Sequence, residues 1–207
     1  MGRQIDLIDV SGEREICEGF KQKYLISDRY EILLNTLTTD VKLGNHSHHF
    51  AQFGYCFSGR FNFCVENNVY LIKENDSYNL TPDIVHGAEV LEEIYTIDFK
   101  YTIHEKLCNT INVNVLKPAQ DKGDEFNLPE IKVIRLKGQS FRDLNSYELE
   151  MYNENFLMVG DKMTISIDSN FFELSKMAIY KLSVDDTNSC VNLKIEDKDN
   201  LFILQVK

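Results

Sequence analysis

This 207-residue chain is most informative at first for what it lacks. Three prolines and ten glycines are too few for a disordered or collagen-like polymer. No apolar run approaches the roughly 20 residues that a membrane-spanning helix needs. The first residues, Met1 to Ile16, are mixed and charged, unlike a secretory signal. Asp6 stands where a myristoylation motif wants Ser or Thr. The five cysteines, Cys17, Cys56, Cys64, Cys108 and Cys190, show no CxxC spacing. The expectation is a cytoplasmic protein with reduced thiols.

Basic residues are also scarce. Lys and Arg number 22 against 33 Asp and Glu, a formal net charge of −11. No basic stretch stands out, so nucleic acid is not an expected partner. Neither is a membrane. Long helical periodicity is rare, with one short helix expected over His104–Thr110.

What the chain does have is short strands. Tyr30–Leu37, Gln52–Phe57, Arg60–Val65, Val69–Lys73, Ser77–Leu80 and Tyr95–Lys100 are rich in β-branched, aromatic and aliphatic residues. Turn formers separate them: Ser58-Gly59, Glu66-Asn67-Asn68, Glu74-Asn75-Asp76 and Thr81-Pro82-Asp83. The strand pattern resumes after Lys117–Glu130, which reads as a linker or surface loop. The implied class is all-β, a sandwich or barrel. The expected division is 1–116, a linker at 117–130, and 131–207.

The two halves look like weak copies. A shift of 102 places Phe61, Phe63 and Val65 on Met163, Ile165 and Ile167. It also places Tyr70 on Phe172, Ile72 on Leu174, Tyr78 on Tyr180 and Leu80 on Leu182. Yet all five histidines lie between His46 and His104. The same shift sets His46, His48, Gln52 and His86 against Glu148, Glu150, Glu154 and Asn188. The second half is expected to be structural, with an acidic cation site as the lesser reading.

The chemistry therefore concentrates in GNHSHHFAQFGYCFSG, Gly44 to Gly59, and TPDIVHGAEV, Thr81 to Val90. On one continuous strand, His46, His48 and Gln52 would share a face, because side chains alternate with period two. His49 would point away. A Pro-Asp turn would return His86 over that face. Three imidazoles and an amide oxygen make a divalent-metal site, for Zn, Fe, Mn or Ni. Such an all-neutral shell leaves the ion its full charge to polarise a carbonyl or hydroxyl. Gly54, Cys56 and Ser58 on the ligand face would leave room for a substrate. Phe53, Tyr55 and Phe57 on the opposite face would need cover, and a homodimer is the preferred source.

Gly44-x-His46-x-His48-x3-Gln52-x6-Gly59, followed by Pro82-x3-His86, resembles the paired motifs of the cupin superfamily. Gln52 replaces the usual Glu. The resemblance implies a jelly-roll β-barrel, and a bicupin whose C-terminal barrel is degenerate. The Gln variant is similar to uronate-linearising cupins and to the bicupin isomerase of bacilysin biosynthesis. It implies an isomerase or ring-opening tautomerase acting on a small sugar acid or keto acid. A non-haem dioxygenase and a non-catalytic ligand-binding cupin are the alternatives. Asp98 matches an acidic residue that supports the uronate chemistry and is the first candidate for proton transfer. His104 stands near the place of that group's Arg, and would touch substrate or a metal ligand.

Overall fold

The computed structural model describes residues 3–102, 124–127, 131–137, 147–185, 190–195 and 200–206. The first nine strands are β1 (Ile5–Asp9), β2 (Gly12–Cys17), β3 (Phe20–Ile26), β4 (Tyr30–Leu37), β5 (Lys42–His46), β6 (Ala51–Val65), β7 (Asn68–Lys73), β8 (Ser77–Leu80) and β9 (His86–Tyr101). Nine more follow: β10 (Asp124–Asn127), β11 (Ile131–Lys137), β12 (Tyr147–Glu150), β13 (Glu154–Val159), β14 (Met163–Ile167), β15 (Asn170–Leu174), β16 (Ala178–Val184), β17 (Cys190–Ile195) and β18 (Asn200–Val206). Among the described residues no helix is long and apolar enough to cross a membrane.

The chain forms two compact units. One is Gly12–Pro118, here the N-terminal unit. The other, the C-terminal unit, joins Met1–Ser11 to Ala119–Lys207. This corrects the expected division at both ends. Ile5 and Leu7 alternate with polar residues and pack against the C-terminal core, and β1 pairs with β16 along its length. Part of the expected linker is strand β10, whose backbone pairs with β11. The expected helix over His104–Thr110 and the residue Cys108 lie outside the described residues.

The N-terminal unit is built on one antiparallel sheet in the order β2-β3-β4-β9-β6-β7, with β5 on β9 and β8 on β6. Its two long strands carry the site. β6 runs unbroken through the Ser58-Gly59 turn signal, with its register on β9 shifting there. Gly59 absorbs the irregularity at φ +80°, and a Cβ on it would sit 2.0 Å from the Glu93 carbonyl oxygen. A bulge thus does what the sequence pattern assigned to a turn. Phe20, Phe61, Phe63, Val65, Ile72 and Ile94 belong to the core of this unit.

The C-terminal unit has a sheet β1-β16-β13-β18-β11-β10 and a second sheet β12-β17-β14-β15. Its core is almost wholly aliphatic, with Leu157, Ile165, Leu193 and Ile203 fully buried. The repeat is visible in the hairpins. Phe63 pairs with Tyr70 and Phe61 with Ile72. At the same shift, Ile165 pairs with Phe172 and Met163 with Leu174.

Phe53 and Tyr55 are already buried in a single chain, and Phe53 stacks on Phe99 at 6.1 Å. Those two rings therefore need no second copy to cover them, whereas Phe57 is half-buried.

Candidate metal centre

His46, His48 and Gln52 do not share one strand. His46 ends β5, His48 lies in the connecting loop, and Gln52 is the second residue of β6. His86 opens β9, directly opposite His46 in the β5–β9 pair and opposite Val65 of β6. The four residues meet because three strand ends and a loop converge. The Pro82-Asp83 turn supplies the return. Asp83 adopts φ +65°, and its N–H donates to the His48 carbonyl at 2.8 Å. His49 points outward as expected, where its ring meets Asp83 at 2.6 Å in solvent.

The three imidazoles form the one metal-capable cluster found among the described residues, with ligand atoms within 4.8 Å of one another. The ring centroids of His46 and His86 are 4.3 Å apart, and those of His48 and His86 are 5.0 Å apart. Each Nδ1 faces a backbone carbonyl two residues away. His46 meets Gly44 at 2.9 Å, His48 meets Phe50 at 3.0 Å and His86 meets Ile84 at 2.9 Å. A carbonyl accepts only, so these contacts assign the proton to Nδ1 and leave each Nε2 lone pair free.

Gln52 completes the set. Its Oε1 lies 2.9 Å from His48 Nε2, and its Nε2 donates to Asp98 Oδ1 at 2.8 Å. A neutral His48 has one proton for two oxygen neighbours, so one contact sets two lone pairs face to face. A shared cation at Nε2 and Oε1 relieves that conflict. An extra proton on His48 is disfavoured, because burial and the nearby Lys100 charge both lower its pKa. Burial lowers His86 further, to about 4. The donor set therefore fits a divalent metal.

Behind Gln52 stands a buried polar ladder. Asp98 Oδ1 also accepts from Tyr78 Oη at 2.6 Å, and Asp98 Oδ2 accepts from Asn35 Nδ2 at 2.7 Å. Asn35 Oδ1 in turn accepts from Gln22 Nε2 at 2.7 Å. Burial raises the Asp98 carboxyl, against the pull of its hydrogen bonds. Burial, followed by the Asp98 charge, raises the Tyr78 phenol well above its ordinary value. Tyr78 reaches Asp98 by crossing Gly54, whose cross-strand neighbours are these same two residues. A Cβ there would lie 2.0 Å from the Tyr78 ring. The space above Gly54 thus holds a tyrosine, which corrects the expectation that it admits substrate.

A cavity of about 450 Å³ opens over the site. His46, Gln52, His86, Tyr78 and Asp98 line it, as do Arg14, Gln22, Asn35 and Lys100. Those last four, and the role of Tyr78, were missed by sequence reasoning. Asn35 was detectable as a lone amide inside the apolar run Ile32–Leu37. His104 lies outside the described residues.

No family model matches the chain, and no curated relative matches it. Solved structures do. A cupin 2 conserved barrel domain protein from Leptotrichia buccalis aligns at TM-score 0.53 and 16% identity, over 99% of this chain and 89% of that one. AerE from Microcystis aeruginosa aligns at TM-score 0.69 and 16% identity, over 96% and 98%. The bacterial pirin YhhW from Escherichia coli, solved with nickel(II), aligns at TM-score 0.75 and 8% identity, over 98% and 99%.

The chain has the cupin fold. At these identities the likeness establishes architecture alone. That architecture is a bicupin, since the neighbours span both units. Within this fold, the histidine cluster sits in the N-terminal unit. In the C-terminal unit the 102-residue shift slips by one position at the site. Leu182 pairs with Asn155 rather than with Glu154. The three glutamates Glu148, Glu150 and Glu154 do not appear as a metal-capable cluster. Asn188 lies outside the described residues.

Proposed function

We propose that this cupin is a metal-dependent enzyme of the isomerase or tautomerase type, acting on a small sugar acid or keto acid. The observation that carries the reading is the all-neutral donor set, three imidazole nitrogens and one amide oxygen, beside a buried carboxylate in one cavity. His46, His48, His86 and Gln52 would hold the ion. Zn, Fe, Mn and Ni all suit nitrogen and oxygen donors, and the nickel-bound pirin supports a metal of this group. When bound, the metal supplies a Lewis acid for a substrate carbonyl or hydroxyl.

The chain's own residues do the rest. Asp98 accepts three hydrogen bonds, which hold it as a carboxylate able to take a proton. Burial raises its basicity, as an acid/base needs near neutral pH. Its bond from Gln52 Nε2 also aims Gln52 Oε1 at His48. Asp98 thus has two duties, proton transfer and orientation of a metal ligand.

Two measurements test this. Elemental analysis should find about one transition metal per chain, and a screen of unsaturated uronates and keto acids should find double-bond migration without oxygen uptake. In Asp98→Asn, turnover should fall by roughly two orders of magnitude or more. Wild-type turnover in that variant would remove the acid/base role. Oxygen consumption would move the reading to a dioxygenase.

A further inference from the structure

We propose that the cavity contains an anion subsite centred on Arg14, which takes the carboxylate of a small ligand whose body is apolar. The inference deepens the reading above, and it depends on that reading only for what the ligand's other end touches.

The first observation is where the cations are. In a chain of net charge −11, three basic residues line this one cavity: Arg14, Lys42 and Lys100. Lys42 is engaged by Glu89 at 2.6 Å. Arg14 has no carboxylate within ion-pair distance among the described residues. The carboxylates in the cavity wall are Glu31, across the β4–β9 pair from Lys100, and Asp98, enclosed by its three donors.

The second observation is that Arg14 is held in place from behind. Its Nε donates to Gln22 Oε1 at 2.7 Å, and its Nη2 donates to the same oxygen. Its Cζ lies 4.6 Å from the centre of the Tyr24 ring. Gln22 is 5% exposed and is anchored through Asn35 to Asp98. The guanidinium therefore keeps a fixed plane, with most of its five N–H donors left over. A fixed fork of that kind matches a carboxylate through two parallel hydrogen bonds. An idle surface arginine would need no buried glutamine to orient it.

The third observation concerns the ligand's body. Phe20, Leu33, Leu37, Phe61, Phe63 and Ile94 line the same cavity. These side chains offer no partner to sugar hydroxyls, and burying unpaired hydroxyls is costly. A carboxylate on an apolar skeleton suits such a cavity better than a polyhydroxylated acid does.

The test is calorimetric titration of the full chain with 3-benzoylpropionate and its neutral amide, 3-benzoylpropionamide. Each is titrated into nickel-loaded and metal-free protein. The ketone is common to both probes, and the carboxylate lies two carbons away from it. The acid should bind about tenfold more tightly than the amide in both metal states. Arg14→Gln should erase that preference while leaving the amide affinity and nickel content unchanged. Arg14→Lys should restore part of it. Arg14 is exposed, and circular dichroism and the unchanged amide affinity check that each variant keeps the fold. An unchanged acid preference in Arg14→Gln overturns the proposal. So does equal binding of acid and amide by the wild type, or no acid binding below about 10 mM. A wild type that takes up no nickel but still prefers the acid keeps the anion subsite and overturns the metal reading.

Discussion

In the N-terminal unit Gln52 stands opposite Leu80; in the C-terminal unit Asn155 stands opposite Leu182. The two amides occupy matching positions, and both are buried. Asn155 has partners at both its nitrogen and its oxygen. Its Nδ2 donates to the Tyr152 carbonyl at 2.8 Å, and its Oδ1 accepts from Gln205 Nε2 at 2.9 Å and from the Tyr152 N–H at 3.1 Å. Gln52 has such a partner only at its nitrogen, and its oxygen faces a histidine lone pair. Two residues further on, Gly54 leaves room for Tyr78 to reach Asp98, while its counterpart Leu157 fills the core opposite Tyr180. A shared scaffold becomes a site where polar groups are left one partner short, and becomes a core where every group is matched.

The largest expected effect breaks this contrast directly. His46→Ala combined with His86→Ala should abolish bound metal by elemental analysis, whereas Glu148→Ala with Glu150→Ala should leave the metal content as it was. Retained stoichiometric metal in the first variant would remove the site. Leu157→Ala should cost about 2–5 kcal/mol of unfolding free energy, because a fully buried leucine leaves a cavity. Gly54→Ala should cost less, about 1–3 kcal/mol, through forced displacement of the Tyr78 ring. It should also weaken metal binding, because Asp98 loses a donor. Denaturant melts of both variants check the order.

A pH series sharpens the contrast further. In metal-free protein, burial holds His86 near 4, whereas an unfolded histidine titrates near 6.5. The unfolded chain takes up the proton first. The stability contributed by neutral His86 is therefore complete above about pH 6.5 and lost as pH falls toward about 4. Hydrogen exchange read peptide by peptide should show this loss in the N-terminal unit, since the C-terminal unit has no histidine. Equal losses in both units would contradict it. The smallest effect belongs to His49→Ala. It should change neither metal content nor melting midpoint measurably, because the His49–Asp83 pair is solvent-exposed.

Much of this was legible in the chain. Alternation over Arg60–Val65 and Val69–Lys73 predicts two strands around a turn, and the 102-residue shift predicts matching strands in the second half; each pair is a hairpin, with equivalent registers. Local pattern suffices there because a two-residue period and a tight turn leave one register that buries the apolar face. The candidate ligand set is legible as residue types, but the way its members converge is not. Period-two parity assumed a continuous strand, whereas His48 lies in a loop placed by its contact with Asp83. Strand β1 was illegible because its partner β16 is some 170 residues away, and sequence pattern carries no signal for such pairing.

By itself, the sequence determined which residues could ligate a metal, that they belong to one half of a repeat, and that the chain is built of strands. Those properties follow from side-chain chemistry and short-range periodicity. Only the tertiary structure decided that Gln52 turns its oxygen to His48, that Tyr78 crosses Gly54 to Asp98, and that Arg14 joins the cavity from β2. These depend on which strands lie side by side. Hydrogen bonds between residues dozens of positions apart are set by sheet order, which no local pattern encodes.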